Sequence, residues 1–125
     1  MLHLNATIAI AALSLAALGL AGLPAAALAK APAFTGTWAA NLAQCPNRQD
    51  SPDAPMILTA AGYDQHEAHC TFSNLKRKGK TWTAHEACSV EGDPQNSKIK
   101  IRVRGSRLTY ATANGGAPWI LWRCP

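Results

Sequence analysis

Between residues 97 and 104 the chain alternates strictly. Ile99, Ile101 and Val103 are apolar, and Lys98, Lys100, Arg102 and Arg104 between them are cationic. A period of two marks a strand with one face turned to a core. Similar short runs rich in Thr, Val, Ile and Trp predict strands over 34–40, 56–60, 67–75, 81–90, 97–104, 107–113 and 119–124. After Lys30 no stretch of helical length repeats at three to four residues. Gly105-Ser106 suits a tight two-residue hairpin. Gly92-Asp93-Pro94 and Asn114-Gly115-Gly116-Ala117-Pro118 read as loops, and 45–55, with three prolines, as an irregular surface loop. The pattern predicts an all-β fold, an antiparallel meander of about seven strands forming a small barrel or sandwich.

Ahead of Lys30 the pattern is different. Residues 8–23 are almost wholly apolar, Pro24 breaks the run, and Ala27-Leu28-Ala29 follows. Small residues at the first and third places of that triplet suit a signal peptidase, so 1–29 is expected to be a helical signal peptide cleaved after Ala29. Gly19, Gly22 and Pro24 keep the apolar run below the ~20 residues of a bilayer-spanning helix, so no stable membrane insertion is expected after cleavage. The first cysteine is Cys45, so a lipid-modified cysteine at the cleavage site is not expected. The remaining 30–125 suit one domain with a modest core.

All 12 Lys and Arg and all seven Asp and Glu fall in that domain, which therefore carries the whole formal charge of +5. So do all four cysteines. Their spacings of 25, 18 and 36 residues include no Cys-x-x-Cys pair, which favours two disulfides over a zinc site. Cys70 and Cys88 lie equally far from Gly79 in Lys78-Gly79-Lys80. A hairpin folded there sets them opposite one another on neighbouring strands, within bridging reach. Cys45 and Cys124 then pair by elimination. In a seven-strand meander the first and last strands run parallel, which would bring both to one end.

The cationic row is the sharpest chemical feature. Lys98, Lys100, Arg102 and Arg104 share one face at ~7 Å intervals, Arg107 follows, and Lys76, Arg77, Lys78 and Lys80 cluster at another turn. Such a face suits a polyanion; the plainer reading is an edge strand charged against aggregation. His66-Glu67-Ala68-His69 lacks the helical-turn spacing of a zinc protease motif. On a strand its histidines point to opposite faces, and His85, opposite Ser73, lies away from His69. No metal site and no cofactor are expected. Alternation turns Glu86 towards the core beside Phe72, where a carboxylate is costly unless hydrogen-bonded; a rim position or a β-bulge that rotates it outward is the more economical reading. Trp119 and Trp122, three apart on one strand, point to opposite faces, so one is expected outside as a possible contact anchor. With the cysteines bridged no thiol remains, and neither a Gly-x-Ser-x-Gly elbow nor a phosphate loop occurs.

Gly36-Thr37-Trp38, with Arg123 in the last strand, resembles the calycin pattern of lipocalins and avidins. The resemblance implies a closed antiparallel barrel that binds a ligand or partner and catalyses nothing, with Arg123 covering Trp38. The cysteine spacing and the ending Trp122-Arg123-Cys124 are similar to small exported four-cysteine proteins of alphaproteobacteria, which implies the periplasm or medium of a bacterium.

The leading expectation is a non-enzymatic exported binding module, an inhibitor or accessory protein contacting another envelope protein through Trp119, Trp122 and Arg123. The alternative is an envelope factor binding polyanions through Lys98, Lys100, Arg102, Arg104 and Arg107, with nucleic acid not expected as the partner. A third is a small hydrolase centred on Glu86 and the histidines.

Overall fold

The computed structural model describes residues 30–125; the signal segment expected over 1–29 lies outside the described residues. Eight antiparallel strands follow one another around a closed barrel: β1 (Gly36–Ala39), β2 (Met56–Thr59), β3 (Gly62–Gln65), β4 (Ala68–Lys78), β5 (Thr81–Val90), β6 (Asp93–Arg104), β7 (Arg107–Thr112) and β8 (Trp119–Arg123). Each strand pairs with its sequence neighbours, and β8 closes the ring against β1, with Trp38 opposite Arg123. Closure leaves no strand wholly unpaired at an edge.

The eighth strand is β3, which the hydrophobic pattern does not announce. Its four residues include Gly62 and Asp64, and the Ala60–Ala61 turn before it carries no Gly or Asn. Gly62 has φ +154° and lies against β4 so closely that a Cβ there would sit 1.8 Å from the Cys70 carbonyl oxygen. Only glycine fits under that carbonyl. Because the strand number is even, β1 and β8 run antiparallel, not parallel as a seven-strand meander would have them.

The start of β6 also differs from the sequence reading. Glu91 and Gly92 both have positive φ (50° and 87°), making a two-residue turn after which pairing resumes at once with Val90 opposite Asp93. Pro94 therefore lies inside a strand. The Lys98 carbonyl accepts from Ala113 on the β7 side. Pro94 has the same parity, so its missing N–H faces the stretch of β6 beyond the end of β7, where no ladder bond is lost.

Inward positions from all around the barrel fill its interior. Phe34, Trp38, Met56, Leu58, Ile101, Leu108 and Tyr110 are the largest fully buried side chains. Phe34, just ahead of β1, packs edge-on against Trp82, ring centroids 5.4 Å apart. The Trp38 indole N–H donates to the Phe34 carbonyl at 2.7 Å. Arg123 lies over the Trp38 ring, 4.2 Å from its centroid, and its guanidinium donates to the Ala33 and Thr35 carbonyls at 2.7 and 3.0 Å. It thereby ties the entering segment to the last strand.

Two disulfides join Cys70 to Cys88, across β4 and β5, and Cys45 to Cys124, tying the loop after β1 to the end of β8. Bridges of this kind belong to an oxidising compartment outside the cytoplasm. Among the described residues no helix is long and apolar enough to cross a membrane.

Candidate functional site

The long strands β4, β5 and β6 carry the cationic residues, and their register decides how those charges face. On β6, Ile99, Ile101 and Val103 are buried, so Lys98, Lys100, Arg102 and Arg104 all stand on the outer surface. On β5 the buried residues are Trp82, Ala84 and Glu86, which leaves Thr81, Thr83 and His85 facing out. Thr81 lies between Lys78 and Arg102, and Thr83 between Lys76 and Lys100. Two cationic rails, Lys76 and Lys78 on β4 and Lys98 to Arg104 on β6, thus flank a floor of hydroxyls and one imidazole. With strands ~4.8 Å apart, the rails are ~10 Å apart at their Cα atoms.

The rail on β4 depends on an irregularity. From Ala68 to Ser73 the strand pairs in one register with β5, and from Lys76 to Lys78 in another, shifted by one residue. The bulge lies at Asn74 and Leu75, Asn74 taking a positive φ of 52°. Leu75 packs on the core. The extra residue lets Ser73 and Lys76 both face outward, which strict alternation would forbid.

A cleft of about 620 Å³ lies on this face, lined by Asn74, Lys76, Thr83, His85, Lys98 and Lys100 among others, with Ala111 and Ala113 at its side. A second, of about 510 Å³, adjoins it through His85, Lys98 and Ala113 and runs on to Ser73, Asn96, Ser97 and Asn114. Among the described residues the ion pairs are Arg48–Asp50, His66–Glu67 and His69–Asp64. None of the rail cations has an acidic partner there. Of the row read from the sequence, Lys98 and Lys100 form one wall of the cleft and Lys76 the other, while Lys78, Arg102 and Arg104 carry the charge on past it. Arg107, opposite Arg104 across the β6–β7 turn, extends the charge beyond the cleft.

Among the described residues one carboxylate lies in the interior. Glu86 faces inward, paired across the sheet with Phe72, and is 7% exposed. The bulge that would have turned it outward falls further along β4 and leaves Glu86 in place. The Tyr110 hydroxyl donates to it. Burial raises the Glu86 carboxyl above its ordinary value, and the Tyr110 hydrogen bond partly opposes that shift. Tyr110 is raised by burial and then by its bond to Glu86. Tyr63, edge-on to Tyr110 at 5.8 Å, is pushed up to about 12 by burial and then by the Glu86 charge. A Glu86 oxygen lies within 4.8 Å of the Cys70 and Cys88 sulfurs, but both sulfurs are spent in their bridge.

His66, His69 and His85 are not brought together with Glu86. His85, opposite Ser73 as expected, points out of the barrel while Glu86 points in. His66 sits in the β3–β4 turn, its Nδ1 3.1 Å from the Gln49 carbonyl. His69 Nδ1 is 2.7 Å from Asp64 on the outer face, and Ser89 is its cross-strand neighbour on β5, with no hydrogen bond between those two side chains.

Trp119 and Trp122 point to opposite faces. Trp119 stacks on Tyr110 at the barrel mouth, centroids 5.5 Å apart, and is 46% exposed. Trp122 is 41% exposed on the outer surface, beside Arg107 and Ala39 across the sheet. Arg123 is committed to Trp38 and two carbonyls and so is held within the fold. No family model, curated protein or solved structure matches the chain.

Proposed function

We propose that this is an exported, non-enzymatic binding module whose ligand is an anion seated on the outer face of β4, β5 and β6. The observation that carries the reading is the pair of cationic rails flanking a cleft, none of whose lysines or arginines is neutralised by an acidic neighbour among the described residues. A row of charges that served only to keep an edge from aggregating would need no cleft. Nor would it need a second row on the strand beyond β5, kept outward by a bulge. The barrel and its bridges fix the strands that carry the charges before the ligand arrives, so little backbone ordering entropy is lost on binding. Cleavage after Ala29 would deliver the domain to the periplasm or the medium, the compartment its disulfides require.

Binding of heparin, as a generic polyanion, to the oxidised protein across a salt series tests the reading. Affinity should fall steeply with salt, and changing Lys98, Lys100, Arg102 and Arg104 together to Gln should flatten that slope. Equal binding by the variant at every salt concentration would remove the site.

A second reading keeps some support. Trp122 and Ile57 stand exposed on the outer face of β8, β1 and β2, and Leu42 is exposed on the short turn after β1. A protein partner would use that surface. Its capture would survive high salt and fail in Trp122→Ala.

A further inference from the structure

The two adjoining clefts differ in chemistry, and the difference specifies the ligand further. We infer, resting on the anion-binding reading above, that the natural ligand is an acidic polysaccharide lying along β5. Its anionic groups would sit between Lys76 and the Lys98–Lys100 pair, and its hydroxyls on the neutral side chains beyond. The first cleft presents cations on both sides of Thr83. The second continues the same groove past His85 and Lys98 to Ser73, Asn96 and Asn114. Hydroxyl and carboxamide groups both donate and accept. That suits a ligand with hydroxyls, which do the same, better than a chain of bare phosphates, which only accept.

Two further observations narrow the class. Among the described residues the groove has no tryptophan, tyrosine or phenylalanine in its lining: Trp119 is at the barrel mouth, and Trp122 is on the face of β8. Single-stranded nucleic acid is held largely by stacking on such rings, so the groove lacks the platform that nucleic acid needs. The same-face spacing on β6 is ~7 Å and the distance between rails is ~10 Å, so one chain lying along β5 can be reached by ammonium groups from both sides. The combined floor follows β5 from Thr83 past His85 to Ala87, with the buried Glu86 beneath its second half, which gives the chain a direction: facing lysines at the Thr83 end, and hydroxyl and carboxamide contacts beside Lys98 at the Ala87 end.

Calorimetric titration of the oxidised protein with an oligogalacturonate, a polyphosphate of matched charge and oligo-dT tests this. Oligogalacturonate should bind most tightly. The triple variant Ser73→Ala, Asn96→Ala, Asn114→Ala, at three exposed positions, should lose about tenfold or more for oligogalacturonate and keep its polyphosphate affinity. Lys98→Gln with Lys100→Gln should weaken both. Equal affinity for the saccharide and polyphosphate, or a triple variant that binds the saccharide as the parent does, overturns the saccharide inference while leaving anion binding intact. Tighter binding of oligo-dT also overturns it. If none of the three anions binds, the underlying reading falls as well.

Discussion

Replacing Glu86 by Gln should change how stability depends on pH, and the change can be worked from the burial of that one carboxyl. Gln keeps the size of the side chain and an oxygen to accept from Tyr110, but it cannot ionise. In the parent, burial raises the folded-state carboxyl above its ordinary value. Below the unfolded pKa, ~4.3, the group is protonated in both states and its contribution to stability is fully present. As pH rises through the window up to the folded pKa, the unfolded chain has released its proton while the barrel retains it. Stability from this group is therefore lost with rising pH, at no more than ~1.4 kcal/mol per pH unit for a single proton. For a domain of this size each kcal/mol moves Tm by ~4–8 °C. Urea unfolding of parent and Glu86→Gln at half-unit pH steps from 3.5 to 8 gives the difference curve directly, with other carboxylates cancelling. The parent should lose ground to the variant as pH rises above ~4.3 and then run parallel to it. A difference that is flat throughout, or that favours the parent as pH rises, would refute the inward, desolvated Glu86.

Three more outcomes follow from the fold. Arg123→Gln removes the cation over Trp38 and weakens two ties to the entering segment, and should cost ~1–3 kcal/mol in urea unfolding at neutral pH. Replacing Cys45 and Cys124 together by Ser opens a loop with a sequence separation of 79; loop entropy gives a loss of about 4.5 kcal/mol, against about 3 kcal/mol for the Cys70–Cys88 pair, so calorimetry should rank the first variant lower in Tm. Absorbance titration at alkaline pH should show Tyr63 resisting ionisation past the ordinary phenol range. Its contribution to stability is present below ~10 and lost as pH rises through about 12, and a normal phenol step near 10 in the folded protein would contradict the burial.

Short runs rich in Thr, Val, Ile and Trp located seven of the eight strands, and period-two alternation gave the buried faces of β5 and β6. The prediction for 81–90 coincides with β5. The pattern missed β3 because four residues containing Gly and Asp read as a turn, while the turn itself, Ala60–Ala61, carries no turn residue. It placed Asp93 and Pro94 in a loop because proline is normally excluded from ladders, and only the early end of β7 makes the site permissive. Equal distance from Gly79 identified the Cys70–Cys88 pair, but by two offsetting departures. The turn is a two-residue one, Lys78 opposite Thr81, which by itself would set Cys70 opposite Ser89; the bulge restores Cys88. A turn centred on Gly79 hides that mismatch of one residue, which the pairing of Lys78 with Thr81 exposes and the bulge at Asn74 and Leu75 absorbs. The β6 rail was visible in the alternation. Its partner on β4 was not, because Lys76 and Lys78 face outward only after the bulge has reset the strand.

Strand β4 is in effect written in two phases. Its first half is set by the demand that Cys70 meet Cys88, its second by the demand that Lys76 and Lys78 join the outer charge, and the two demands differ by one residue. Asn74 is where the phase changes. Deleting it would leave a regular strand that meets both demands at once, Cys70 opposite Cys88 and Lys78 opposite Thr81. A residue removed from β5 between Thr81 and Cys88 would instead set Cys70 opposite Ser89. The barrel should thus accept the loss of Asn74, and length changes within 45–55 where no ladder has a phase to preserve, and reject a shorter β5.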